Sequence, residues 1–337
     1  MLKWYEEGVK TDVVVSSRIR LARNLKKYPF PNKLSLEQKF EVIQVISDAI
    51  LKSGDPSVAG FRFIDMDKIS KFDAYAMAER HLISPDFAEN GQGRALILSE
   101  DESVSIMINE EDHVRIQVMV PGFDLMTAYK RADQIDRILE QHVEIAFDEN
   151  LGYLTECPTN LGTGMRASAM LHIPALQSIG AVGQIANTVS KIGLTMRGTF
   201  GEGSEVKCDM YQLSNQVTLG ISEQAAIENL QGIIRQIVER ERESRNNIDH
   251  DRLEDVVFRA LGILKSARLL SGDELLQLIS RVRLGVEMDM IKDIGFDVLN
   301  TLTFNCQSAA LQAQSGGPLD ADTRDKMRAR IVREKLA

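Results

Sequence analysis

The alternation of apolar and polar positions divides the chain into two textures. Residues 13–20 open on a β-branched run, Val13-Val14-Val15, and continue as Ser16-Ser17-Arg18-Ile19-Arg20. A period of two puts Arg18 and Arg20 on one face of the predicted strand. Ser35-Leu36-Glu37-Gln38 has the pattern of a capping box and predicts a helix toward Ile50, closed before Gly54. Residues 94–99, 103–109 and 113–120 read as three strands, the last closed by Pro121-Gly122, with Arg115, Gln117 and Met119 sharing a face. Asp124 is placed to cap a long helix, expected to run to about Phe147. Residues 167–173 predict a strand stopped by Pro174, and residues 175–191 a helix closed by Gly193. Residues 205–213 and 216–219 predict a hairpin around Ser214-Asn215.

Consecutive strands joined by tight turns imply an α+β fold, an antiparallel sheet flanked by helices. From Ser222 onward the periodicity is helical, and a dense charge run over residues 239–245 is followed by Asn246-Asn247. The expected organisation is therefore a mixed domain over residues 1–245 and a small all-helical domain over 246–337. No internal repeat or low-complexity stretch interrupts either.

Composition narrows the class. At 337 residues, 44% hydrophobic and 26% charged, the chain is an ordinary globular protein with ample core. The net charge of −9 argues against nucleic acid or a membrane surface as a general partner, and no apolar run is long enough to span a bilayer. Charged residues within the first ten positions exclude a signal peptide, so a cytoplasmic location is expected. Cys157, Cys208 and Cys306 are too few and too dispersed for a disulfide framework or a CxxC zinc site.

Four short segments carry chemistry. They are residues 16–20, Asn109-Glu110-Glu111-Asp112-His113-Val114-Arg115, Cys157-Pro158-Thr159-Asn160-Leu161-Gly162-Thr163-Gly164-Met165-Arg166, and Arg197-Gly198-Thr199-Phe200-Gly201-Glu202. Taken singly, each has a plain alternative: a solvated strand face, a polar turn, a small buried thiol, a Gly-rich loop. Together they offer five arginines and two glutamates. Guanidinium forks give a dense polyanion bidentate, permanently charged donors. The chain has neither a GxxxxGK[ST] loop nor a kinase Gly-rich loop with an HRD segment, so any nucleotide is held by side chains rather than a backbone cradle.

These segments resemble those of the phosphagen (guanidino) kinases, which phosphorylate guanidinium nitrogens with MgATP. The resemblance covers residues 13–241 and is carried most specifically by the Asn-Glu-Glu-Asp-His-x-Arg and Cys-Pro-Thr-Asn-Leu-Gly-Thr strings. It implies ATP and Mg²⁺ as cofactors, with Arg18, Arg20, Arg115, Arg166 and Arg197 on the nucleotide phosphates. Ser16, Ser17, Ile19, Ala167, Ser168, Ala169, Met170, Gly198, Thr199, Phe200 and Gly201 complete the implied ATP-binding segments. Glu111 and Glu202 match the carboxylates that hold the substrate guanidinium, Glu202 also lying in an ATP-binding segment. Cys157 matches the active-site cysteine, and His81 resembles a nucleotide contact. No metal-ligating residues are implied.

Two departures select a branch of that family. Only fifteen residues precede Ser16, where the small-metabolite enzymes carry a helical domain with a closing loop. The expectation is an uncovered site that admits an arginine side chain of a protein. The added helical region ends in Arg324-Asp325-Lys326-Met327-Arg328-Ala329, and the layout is similar to the bacterial protein-arginine-kinase branch. In that branch such a segment binds phosphoarginine as an allosteric sensor, which implies Arg324, Asp325, Arg328 and Ala329 here. Arg324 and Arg328, four apart, share a helix face; the alternative is a solvated terminal helix. The resemblance further implies protein substrates, among them a stress-response transcriptional repressor, with a zinc-finger activator protein, the Clp unfoldase–protease and self-association into a homodimer or larger. Two other functions fit the residues less fully: a kinase of a small free guanidine, and a phosphoarginine-binding adaptor with a vestigial core.

Overall fold

A computed structural model of the chain describes residues 1–7, 9, 11–198 and 208–337. In chain order the larger, mixed part contains β1 (Val14–Arg23), α1 (Leu36–Leu51), β2 (Arg62–Asp65), α2 (Lys71–Glu79), α3 (Pro85–Glu89), β3 (Ala95–Leu98), β4 (Val104–Ile108), β5 (Val114–Pro121) and α4 (Leu125–Glu140). It continues with β6 (Phe147–Asp148), β7 (Gly152–Tyr153), β8 (Met165–His172), α5 (Pro174–Ser178), α6 (Val182–Ser190), β9 (Leu194–Gly198), β10 (Met210–Asn215) and α7 (Glu223–Asn246). The remainder is helical: α8 (His250–Ser266), α9 (Gly272–Glu287), α10 (Phe296–Asn305), α11 (Ser308–Ser315) and α12 (Ala321–Leu336).

An eight-stranded antiparallel sheet runs in the order β2-β3-β4-β5-β1-β8-β10-β9. Its two faces have different fates, and the period of two in each strand decides which side chain goes where. Ile19 and Leu21 of β1, Ile116 and Val118 of β5, Ala167 and Ala169 of β8 and Leu213 of β10 face the helices and form one core with Ile46, Ile135, Ile138, Leu230 and Ile234. The opposite face is apolar only towards its ends. Leu96, Leu98 and Met107 pack under α2 and α3 with Phe87, and Met119, Met170 and Met210 pack under Trp4, Tyr5, Leu276 and Phe304. Between those clusters the face is polar, and it carries Arg18, Arg20, Arg115 and Arg166.

The capping box of α1 is present, with the Ser35 hydroxyl accepting from the Gln38 N–H and the Gln38 side chain accepting from the Ser35 N–H. Three expectations need correction. The helix capped by Asp124 stops at Glu140, not near Phe147. The chain after it turns back so that Ile145 bridges Leu25 and Phe147 enters β6. The single helix expected over 175–191 is two, α5 and α6, because Gly180 adopts φ +69° and ends the first. The expected hairpin partner at 216–219 is no strand; β10 pairs instead with β8 and β9, while the Asn215 side chain bonds Ala167 N–H and the carbonyls of Met165 and Val217.

The C-terminal helices have their own core, built on Val257, Leu264, Leu275, Ile279, Val282, Leu299, Leu302 and Val332. A buried polar network fastens them to the sheet. Glu287, with a side chain 0% exposed, sits 2.7 Å from Arg245 and 3.0 Å from both Arg283 and His172. His172 Nε2 meets the Ser280 hydroxyl at 2.9 Å, and that hydroxyl donates to Asp209 at 2.6 Å. Arg283 also donates to the Thr11 carbonyl at 2.6 Å. Glu287→Ala leaves the buried Arg283 guanidinium without its carboxylate and takes from Arg245 one of three, Glu241 and Asp12 remaining. The expected loss is about 3–5 kcal/mol, read as a lower urea midpoint of unfolding.

Candidate active site

The site grows from strand register. Arg20 of β1 stands opposite Arg166 of β8, and Arg18 opposite Ser168. On the other side of β1, Ala22 faces Arg115 of β5. One polar stripe across β5, β1 and β8 thus gathers four arginines contributed by segments up to 148 residues apart (166 − 18). Arg197 lies on β9 opposite Gln212 of β10, exposed, and acts on Arg166 electrostatically.

Arg115 pairs with Glu110 and Glu111, whereas Arg18, Arg20 and Arg166 form no ion pair among the described residues. Burial pushes the Arg18 guanidinium down to about 10, and the charges of Arg115 and Arg166 push it the same way. Arg20 is driven well below the usual arginine range by burial, then by Arg18, Arg115 and Arg166. Arg166 is lowered by burial, then by Arg197 and Arg115. Among the described residues the buried Nε atoms of both Arg20 and Arg166 have no hydrogen-bond partner. Such an arrangement suits a ligand that brings acceptors and negative charge, as a polyanion lying along the stripe would.

Arg18 is held by the Ser168 hydroxyl at 3.2 Å and by the side-chain amide oxygen of Gln212. It lines a hollow with Ser16, His81, Met119, Ser168, Met170 and Gln212. Burial pushes the His81 imidazole down to about 3, with the Arg18 charge adding to the effect, so the ring is neutral. Ser17, Ile19, Ala167 and Ala169 point the other way or pack into the sheet, so any contact they make with a nucleotide comes from the backbone.

A cleft of about 210 Å³ adjoins this hollow and brings together Arg20, Arg115, Arg166, Glu111 and Cys157. Thr159 and Asn160 also line it, and the Cys157 sulfur lies 3.1 Å from the Thr159 hydroxyl. The Asn-Glu-Glu-Asp-His segment divides into scaffold and chemistry. Asn109, at φ +61°, donates to the carbonyls of Lys39 and Gly93. Asp112 accepts from Asn24 at 2.6 Å and from the Glu156 N–H at 2.8 Å, which ties the segment to the loop preceding Cys157. His113 accepts from the Leu25 N–H at Nδ1 and donates from Nε2 to the Pro29 carbonyl. Burial holds it down to about 4, neutral as those bonds require.

The two glutamates differ. Glu110 turns inward, 7% exposed, 2.6 Å from Arg115 and 2.5 Å from the Ser84 hydroxyl. Glu111 is 38% exposed, meets the other fork of Arg115 at 2.8 Å, and still faces the cleft. Sequence reasoning assigned no role to Glu110, Gln212, Thr159 or Asn160; Glu110 had a signal in the acidic run, and Thr159 and Asn160 in the Cys157 segment, whereas Gln212 had none. Thr199, Phe200, Gly201 and Glu202 lie outside the described residues. Among the described residues no group of three or more His, Cys, Asp or Glu side chains is placed to hold a metal ion.

Residues 41–244 match the family model of the ATP:guanido phosphotransferase C-terminal catalytic domain, and residues 250–337 match that of the protein-arginine kinase McsB C-terminal domain. The protein-arginine kinase of Clostridium tetani is 45% identical over 340 residues, covering 100% of this chain and 99% of its own. That of Bacillus subtilis is 42% identical over 334 residues, covering 98% of this chain and 92% of its own. This chain belongs to the ATP:guanido phosphotransferases.

The duplicated taurocyamine kinase of Schistosoma mansoni, bound to transition-state analogue components, superposes with a TM-score of 0.61 at 26% identity, over 80% of this chain and 40% of that one. Lombricine kinase gives 0.61 at 23% identity over 73% of each chain, a likeness of fold. In the guanido phosphotransferase frame, the C-terminal match falls on α8 to α12. Arg324 is half-buried on α12, whereas Arg328 is 1% exposed. Arg328 donates to the carbonyls of Cys306 and Leu270, each at 2.8 Å, and meets Asp325 at 2.6 Å. Ala329 is buried in the helical core.

Proposed function

We propose that this chain is a protein-arginine kinase, moving the γ-phosphoryl group of ATP onto arginine side chains of other proteins. The observation that carries the phosphoryl part is the stripe of arginines, Arg20 and Arg166 lowered by burial and by their neighbours' charges, with two buried Nε donors that have no acceptor among the described residues. Full-length similarity to enzymes named protein-arginine kinase supports the substrate. It favours that reading over a kinase of a small free guanidine.

The chemistry follows from the residues. A guanidinium nitrogen is a weak nucleophile because its lone pair is delocalised. Glu111, facing the cleft, orients the substrate guanidinium and takes a proton from the attacking nitrogen, with Glu202 as its proposed partner. A nitrogen–phosphorus bond forms as the bond between the γ-phosphorus and the bridging oxygen breaks, and ADP leaves with that electron pair. Arg18, Arg20, Arg115, Arg166 and Arg197 hold charge on the phosphate oxygens, and in-line placement supplies much of the acceleration. Magnesium fits as an ion carried by the nucleotide, where it would neutralise phosphate charge. Cys157 beside Arg166 orients or tunes the guanidinium without a covalent step.

The same reading extends to the domains: catalysis in residues 1–245, and phosphoarginine sensing through Arg324, Asp325, Arg328 and Ala329 in residues 246–337. A cytoplasmic setting, self-association, a repressor substrate, a zinc-finger activator and the Clp unfoldase–protease accompany it as family expectations. One experiment tests the central claim. An arginine-rich protein and free L-arginine are offered in parallel with γ-labelled ATP. Acid-labile label on the protein is expected, and label confined to free arginine overturns the assignment.

A further inference from the structure

The N-terminus of α11 is capped from a distance. Its own flanking residue, Gln307, makes no side-chain cap. Instead the carboxylate of Glu79, the last residue of α2, accepts the Ala309 N–H at one oxygen and the Ala310 N–H at the other, both at 2.8 Å. These are orphan donors of a first helical turn, and a carboxylate there gains from charge-assisted bonds and the helix dipole. Small residues let the two helices close up: Ala76 of α2 packs on Ala309 and Ala310.

Two residues past Glu79 the chain reaches His81, at φ +60°. The sheet side of this turn is pinned by Gln117, which donates to the His81 carbonyl at 2.8 Å, and by Ser105, which donates to the Leu82 carbonyl at 2.7 Å. The other side is set by the C-terminal helices. The Phe304 ring of α10 lies edge-on to the His81 ring, centroids 5.9 Å apart. Phe304 also shares a cluster with Met119 and Met170, which with His81 wall the hollow around Arg18.

We propose that Glu79 is a positioning residue for nucleotide binding: it fastens α11 to the turn that carries His81, so that the C-terminal helices fix the shape of the nucleotide pocket. The proposal rests on reading the Arg18 hollow as part of the ATP site. Glu79 touches no substrate and acts through His81. Arg328 joins the same assembly, since it donates to the carbonyl of Cys306 at the end of α10 and lies near enough to favour the charged form of Glu79.

The test uses the full-length protein and two variants, Glu79→Gln, which keeps one acceptor, and Glu79→Ala. ATP affinity is measured by calorimetric titration, and KM is measured separately for ATP and for an arginine-rich protein. Val257→Ala serves as a control, since it removes core volume in a cluster that includes no residue of α2 or α11. Loss of a charge-assisted bond predicts roughly tenfold weaker ATP binding in Glu79→Gln and a larger loss in Glu79→Ala, with the protein KM unchanged. Val257→Ala lowers the melting temperature without moving ATP affinity. Unchanged ATP affinity in Glu79→Gln overturns the proposal, as does a parallel loss in Val257→Ala or an equal rise in both KM values. Should Glu79→Ala fail to fold, Glu79→Gln decides. A wild-type protein that binds no ATP would instead refute the proposed function.

Discussion

Replacing Arg166 by alanine lowers turnover roughly 10²–10³-fold while the protein stays folded. The expectation follows from what Arg166 does and does not touch. Its buried Nε has no partner among the described residues, so truncation breaks no hydrogen bond of that atom there. It stands directly across the sheet from Arg20, and each cation depresses its neighbours, so the fold is relieved of repulsion when one is removed. The unfolding midpoint should therefore hold or rise. A charge that costs the apo protein something, yet is kept at the centre of the cleft, is there for the transition state. The two readouts must separate: circular dichroism and thermal melting near wild type, single-turnover phosphorylation of a protein substrate far below it. Near-normal turnover would remove Arg166 from the phosphate-binding set. A collapsed melting temperature would make it part of the scaffold.

How much of this was legible beforehand depends on whether the signal was local. Strand β1 was legible because Ile19 and Leu21 must alternate with Arg18 and Arg20, and the face assignments of Arg115, Gln117 and Met119 followed from the same rule. What periodicity does not encode is which strands are neighbours. The order β5-β1-β8-β10 makes one site out of four separate segments, and only the resemblance to a family anticipated it. Helix α4 was overextended because residues after Glu140 are compatible with a helix, and the bridge between Leu25 and Ile145, which turns the chain, is a long-range event. The break at Gly180 had a local signal that was outweighed by the helical pattern on either side.

Side-chain partners were the least readable. Nothing local separates Glu110 from Glu111, yet one is buried against Arg115 and Ser84 while the other opens on the cleft. Gln212 meets Arg18 across 194 residues. Arg328 has the spacing of a solvent-facing cation, and its burial depends on the carbonyls at two helix boundaries, Leu270 and Cys306. A buried arginine of this kind is paired with backbone oxygens that sequence does not advertise. It follows that the face of α12 shared by Arg324 and Arg328 is only half available, with Arg324 and Asp325 its more accessible members.

Glu111→Gln separates binding from chemistry. The substitution keeps the size and the carbonyl acceptor but removes the charge that attracts a guanidinium and the basic oxygen that takes its proton. A positioned general base contributes typically 10²–10⁴-fold, so turnover on a protein substrate should fall by about that range. ATP affinity should change little, because Arg115 retains Glu110 at 2.6 Å and stays in register opposite Ala22. Asp112 and His113 hold the segment through Asn24, Glu156, Leu25 and Pro29, so the loop does not depend on Glu111 for its conformation. The measurement is single-turnover phosphoryl transfer beside calorimetric titration of ATP. A turnover within about threefold of wild type would leave proton acceptance to another group. A large loss of ATP affinity would show that the carboxylate acts mainly by restraining Arg115. Both histidines near the cleft, His81 and His113, are held neutral by burial well below pH 6. Any pH dependence that Glu111→Gln abolishes therefore belongs to the carboxylate or its substrate rather than to an imidazole.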